Sequence, residues 1–270
     1  MDKKITNGRR GHRSRRTAAA AAVTAALALV TAAAQAPAFA QGAAADTPPP
    51  AGAFSAGFGD CPRVLPAGVD RAQWRCEVMI AAGSVRLGGI DLPEIKPITL
   101  VHAEGPLPDG TTGQVFGSLR AEATPVPGGL FGKGTRSDRL PTPRLSLLPE
   151  YGGYADFLGT GEDRGALDMK FRLVSPALAP ACTMGTDQQP VSLHLKPAGP
   201  STWLSEDPPL IEFTTYDNTV SAPAATHCGP LGLLLNRRFA LPSGAGDNLA
   251  SFTAYYTFKS YDQLPASSEH

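Results

Sequence analysis

What the chain lacks narrows it first. Its 270 residues carry no net charge, with 24 Lys and Arg against 24 Asp and Glu. A nucleic-acid partner needs a basic surplus to displace the counterions of the phosphates, so that class is excluded. Charged residues make up only 18% and apolar residues 42%, which excludes a wholly disordered chain. There is no Gly-X-Y period despite 29 Gly and 26 Pro, which excludes collagen. The chain has no Gly-x-Ser-x-Gly elbow, no His-Glu-x-x-His pair and no EF-hand loop, so no common hydrolase or metal motif is present. Beyond the first 40 residues no apolar run is long enough to cross a bilayer, and none repeats at a helical period for more than two turns.

What is present begins with a segment for export. Lys3, Lys4, Arg9, Arg10, Arg13, Arg15 and Arg16 precede an Ala-rich apolar run from Ala18 to Ala34, and Ala38-Phe39-Ala40 supplies small residues at a cleavage site. That order predicts a secretory signal peptide over residues 1–40. The Arg15-Arg16 pair is not followed by a bulky apolar residue, so a twin-arginine route is only weakly signalled. Removal of residues 1–40 takes seven basic residues and one acid, leaving 17 basic and 23 acidic side chains and a net charge of −6. A mildly acidic mature protein again disfavours nucleic acid and anionic lipid.

Four cysteines follow, Cys61, Cys76, Cys182 and Cys228. An even count in an exported chain predicts two disulfides. Three pairings are possible; the smaller closed loops of Cys61–Cys76 and Cys182–Cys228 favour those two. Zinc would call for Cys-x-x-Cys pairs or a Cys/His cluster, and only Cys228 has a neighbouring His.

The mature chain divides into an Ala/Pro/Gly leader over 41–59 and a single β-rich domain over 60–265. In Leu167-Asp168-Met169-Lys170-Phe171-Arg172-Leu173 every odd position is apolar and every even one charged, the period of a half-buried strand. Val191 to Lys196 repeats the pattern. Glu77 to Ala81, Ser84 to Leu87, Ile98 to His102, Gln114 to Thr124, Ile211 to Tyr216 and Phe252 to Tyr261 are further expected strands. Residues 128–150, rich in Gly, Pro and charge, read as a long surface loop. The only helical candidate is Leu231 to Arg238. Many short strands and almost no helix predict an all-β fold, an antiparallel β-sandwich or a barrel-like domain.

The ordered landmarks carry a resemblance. They are Cys61-Pro62, Cys76, Lys96-Pro97-Ile98-Thr99-Leu100, Val126-Pro127-Gly128-Gly129-Leu130, Cys182-Thr183-Met184-Gly185, Pro190 to Leu195, Cys228-Gly229, and Leu241-Pro242-Ser243 with Gly246-Asp247-Asn248. In these the chain resembles a group of secreted actinobacterial proteins with a signal peptide, four cysteines and an all-β body. The resemblance covers most of residues 60–255. It implies export and paired cysteines, and it assigns no catalytic residue, no cofactor and no ligand.

Individual residues give little chemistry. His102, at the end of a strand before Gly105-Pro106, and His194, on the polar face of its strand, both read as solvated. His227 reads as a loop residue beside a disulfide and His270 as terminal. Gly128 to Thr135 is a glycine-rich turn, because Gly134 separates Lys133 from Thr135 and spoils a phosphate loop. Glu162-Asp163 reads as a solvated turn. The remaining candidates are ligand-contact aromatics: Trp203 in a Pro-rich loop, and Tyr151 and Tyr154 in a Gly-rich stretch. The sequence therefore predicts an exported, non-enzymatic binding or structural module of the cell exterior or envelope, with an unidentified extracellular ligand. An exported hydrolase with a dispersed site is the alternative. No residue is assigned as catalytic, cofactor-binding or metal-ligating.

Overall fold

The computed structural model describes residues 57–131, 143–159 and 162–264. The expected signal peptide, the leader up to residue 56, residues 132–142 of the expected loop, and His270 lie outside the described residues.

A long hairpin dominates the molecule. Strand β1 (Arg75–Leu87) turns through Gly88-Gly89 into β2 (Ile90–Pro106). Gly88 has φ 57°, the left-handed region that glycine enters without strain. Across β1 from β2 lies β12 (Leu249–Ser260), paired with β1 along its length. The two strands expected on either side of Gly83 are one strand, and β2 bulges twice opposite it, on either side of Gly83. A Cβ on Gly83 would sit 1.9 Å from the Ser251 carbonyl oxygen, so only glycine lets β12 pair this closely here.

The remaining strands are β3 (Thr112–Ala121), β4 (Thr124–Pro125), β5 (Ser146–Asp156), β6 (Gly165–Val174), β7 (Thr183–Met184), β8 (Val191–Pro197), β9 (Thr202–Glu206), β10 (Pro209–Asp217) and β11 (Ala225–Thr226). One helix, α1 (Gly232–Arg238), stands where the sequence expects it. Every pairing is antiparallel, in the order β5-β6-β8-β10-β12-β1-β2-β3. The sheet then curls on itself. β4, continuing from β3, pairs with β5. Gln114 of β3 bridges the same gap: its amide nitrogen donates to the Ala155 carbonyl at 3.2 Å, and its oxygen accepts from the Phe157 N–H at 2.7 Å. The fold is thus a barrel-like form of the expected antiparallel all-β architecture, its end strands β3 and β5 drawn together by β4 and Gln114 rather than by a ladder of their own.

Alternation decides what faces inward. In β6, Leu167, Met169, Phe171 and Leu173 are buried while Asp168, Lys170 and Arg172 are not. β1 and β2 break this rule, because both of their faces are covered. Their inward face joins the main core through Met79, Val85, Ile98 and Leu100. Their outward face packs Cys76, Val78, Val101 and Ala103 against Trp74 and Tyr261, under a lid of Phe58, Leu65 and Val69. Cys61–Cys76 fastens that lid, and Cys182–Cys228 joins the residues flanking β7 and β11. By loop entropy alone the two bridges contribute about 3 and 4 kcal/mol.

Two expected boundaries shift. Phe58 and Gly59, placed at the end of the leader, already form a 3-10 turn with Asp60. The stretch 128–150 is not wholly loop: Gly129–Phe131 is a 3-10 turn, and β5 starts at Ser146. Leu130, Leu145 and Leu147 are buried there, an apolar pattern that the surrounding Gly, Pro and charge obscure.

Candidate functional site

The doubly covered hairpin forces polar groups inside. Glu77 lies between Cys76 and Val78 in a run of β1 that is buried on both parities, and His102 occupies the same position in β2. Strand register sets Glu77 opposite His102 and Arg75 opposite Glu104, with Met79 opposite Leu100 next along the inner face. His102 is fully buried and Glu77 is 6% exposed. The sequence places His102 on the surface; the structure corrects this, because β2 continues to Pro106 and His102 points to the inner face, where Phe157 covers the ring.

The cluster is organised by one cation. Arg75 donates to Glu104 Oε1 through Nη2 at 2.5 Å and Nε at 3.1 Å. Its Nε also lies 2.7 Å from Glu77 Oε1, at an angle that leaves this oxygen without a hydrogen bond. The second oxygens of both carboxylates face the imidazole: Glu77 Oε2 is 3.5 Å and Glu104 Oε2 is 3.7 Å from His102 Nε2. Those distances exceed an N–H···O bond, and neither ring nitrogen of His102 has a hydrogen-bond partner among the described residues. Each such buried polar atom costs about 1–3 kcal/mol. Phe157 stacks on the ring with centroids 5.3 Å apart.

Electrostatics follow from burial. Loss of water pushes the Glu77 carboxyl above the usual carboxylate range, reinforced by the Glu104 charge and opposed by His102 and Arg75. Burial also opposes ionisation of Glu104, but the His102 ring and the Arg75 guanidinium outweigh it and hold this carboxyl low. Tyr256, opposite Met79 on β12, is pushed up by burial and then by the Glu77 charge.

An apolar cavity of about 50 Å³ adjoins the cluster. Met79, Leu100, Phe157, Leu167, Phe213 and Phe252 are among its walls. Met79 and Leu100 are the next inward residues after Glu77 and His102, and Phe157 touches both the cavity and the ring.

The other sequence candidates are dispersed. Both expected disulfides form, and no cysteine is free among the described residues. Trp203 and Tyr154 are exposed, at 57% and 50%. Tyr151 is no loop aromatic; it is part-buried on β5 and stacks face to face on Phe116 with centroids 3.8 Å apart. His194 is exposed as expected, with Nδ1 3.3 Å from an oxygen of Asp163 in the acidic turn. His227 is an exposed residue next to the disulfide, at φ 56°. Among the described residues no helix is long and apolar enough to cross a membrane. The chain matches no family model, no curated protein and no solved structure.

Proposed function

We propose that the protein is an exported, non-enzymatic binding module of the cell exterior or envelope, a member of the secreted actinobacterial group that it resembles, which takes a small ligand inside its barrel. The supporting observation is an apolar cavity whose walls Met79 and Leu100 stand next along the inner face from a buried polar cluster. That combination of apolar walls and a few convergent polar groups is the usual make-up of a small-molecule site. The ligand that fits has a short apolar end and a cationic, hydrogen-donating head. The apolar end is short because about 50 Å³ is a third of the engineered cavity that admits benzene. The head would meet Glu77 and Glu104. Two disulfides are compatible with an oxidising compartment outside the cell.

A hydrolase would need a nucleophile beside its base. The ion-pair and ring contacts of His102 among the described residues are with Glu77, Glu104 and Phe157, none of which carries a hydroxyl or thiol.

Titration with n-butylamine in the presence of EDTA, followed by methyl NMR of the mature chain, tests this reading. The Met79 and Leu100 methyls should shift saturably. Shifts confined to the surroundings of Trp203 and Tyr154, or no shifts at all, would refute an interior site.

A further inference from the structure

We propose that Glu77, His102 and Glu104 form a binding site for a divalent transition-metal ion of the zinc class. The proposal concerns the polar cluster alone and stands whether or not the cavity takes an organic ligand. Three donor atoms, one from each residue, lie within 4.8 Å of one another. They are held by different means. Arg75 hydrogen-bonds Oε1 of Glu104 and lies 2.7 Å from Oε1 of Glu77, and each Oε2 faces His102 Nε2, at 3.5 and 3.7 Å.

Those separations are too long for direct hydrogen bonds and suit ligands that share one ion. Zinc binds imidazole nitrogen and carboxylate oxygen at about 2.0–2.2 Å, so neighbouring donors of a tetrahedral site stand about 3.3–3.5 Å apart. The fully buried imidazole with no hydrogen-bond partner on either nitrogen is the independent sign that something else satisfies it. One imidazole with two carboxylates selects zinc and its first-row neighbours over calcium, which takes six to eight oxygens. Three protein ligands leave a fourth position for water or for a ligand head group.

The competing occupant is a proton, with an imidazolium held between two carboxylates. Full-length mature protein, stripped with chelator and titrated with zinc chloride by calorimetry, separates the two. The metal site is expected to take up one zinc per chain, with zinc X-ray absorption showing nitrogen and oxygen ligands at about 2.0–2.1 Å. Glu77→Gln and His102→Asn should each weaken binding at least 100-fold. Glu77→Gln conserves shape, so it retains the test if His102→Asn fails to fold. Zinc uptake unaltered by these substitutions, or no uptake with the His102 ring nitrogen resonances unmoved, would overturn the proposal. If zinc fails while the Met79 methyl still answers butylamine, only the metal site falls. Zinc binding without any methyl response refutes the interior organic ligand and leaves the metal site standing.

Discussion

Ala254→Val probes the cavity directly. Ala254 is 2% exposed on β12, opposite Ala81 on β1 and Phe213 on β10, and it forms part of the cavity wall. Valine adds two methyl groups to this wall on a residue type that strands favour. Filling about 50 Å³ of void, at about 24 cal/mol per Å³, stabilises the fold by about 1.2 kcal/mol. Counting instead two buried carbons at about 0.8 kcal/mol each gives about 1.6 kcal/mol, so the two routes agree. For a domain of this size that raises Tm by about 3 °C in a calorimetric scan. Had no void been present, the same methyls would overpack the core and cost about 1–3 kcal/mol. The sign of the change therefore decides. A fall in Tm of 2 °C or more would refute the cavity, and with it the reason for placing a ligand inside the barrel. The variant should also silence the response of Met79 and Leu100 to butylamine, because the space for the alkyl chain is gone.

Two further perturbations address the frame around the site. Replacing Cys182 and Cys228 by Ala frees a span of 46 residues and should cost about 4 kcal/mol, against about 3 kcal/mol for Cys61 and Cys76 with their span of 15. Urea unfolding measures both, and a reversed order would show that loop entropy does not govern these bridges. Asp60 accepts hydrogen bonds from Nε and Nη2 of Arg120 and from Ser118, and the Arg120 bonds hold its carboxyl below the usual range despite some burial. A carboxyl with a depressed folded pKa stabilises the fold above its unfolded pKa of about 3.9, and this contribution is lost as pH falls through the folded value. The Tm advantage of the parent chain over Asp60→Asn should therefore be present at pH 7 and vanish below the folded pKa. An advantage that does not begin to shrink as pH falls below about 3.9 would contradict this.

The parts legible in the sequence were those where one face meets water. β6 and β8 alternate so cleanly that their inner residues could be read directly, and the cysteine spans pointed to the two bridges. Barrel closure was not legible, since it rests on Gln114 reaching the backbone at 155 and 157 and on the two-residue pairing of β4 with β5. Neither leaves a periodic trace. Tyr151 was misplaced for a related reason. Its Gly-rich neighbours suggest a loop, whereas the ring is fixed by Phe116, 35 positions earlier in the chain and two strands away through closure.

The polar cluster was hidden by register rather than by composition. A signal did exist: Cys76 to Ala81 is apolar at both parities apart from Glu77, and a strand apolar on both sides is covered on both sides. A lone acid in such a run must be buried and must have partners, and the same logic applies to His102 between Val101 and Ala103. Which partners cannot be counted from the turn. A regular hairpin closing at Leu87↔Ile90 would set Glu77 opposite Leu100 and Arg75 opposite His102. A single bulge would move Glu77 opposite Val101, whose side chain points to the other face. The observed hairpin has two register shifts, on either side of Gly83, which restore the face and advance the pairing by two residues. Only then does Glu77 meet His102 and Arg75 meet Glu104. The two extra residues that β2 carries between Leu92 and Ile98, opposite Val85 to Ala81, thus bring together the four charged and polar groups of the site.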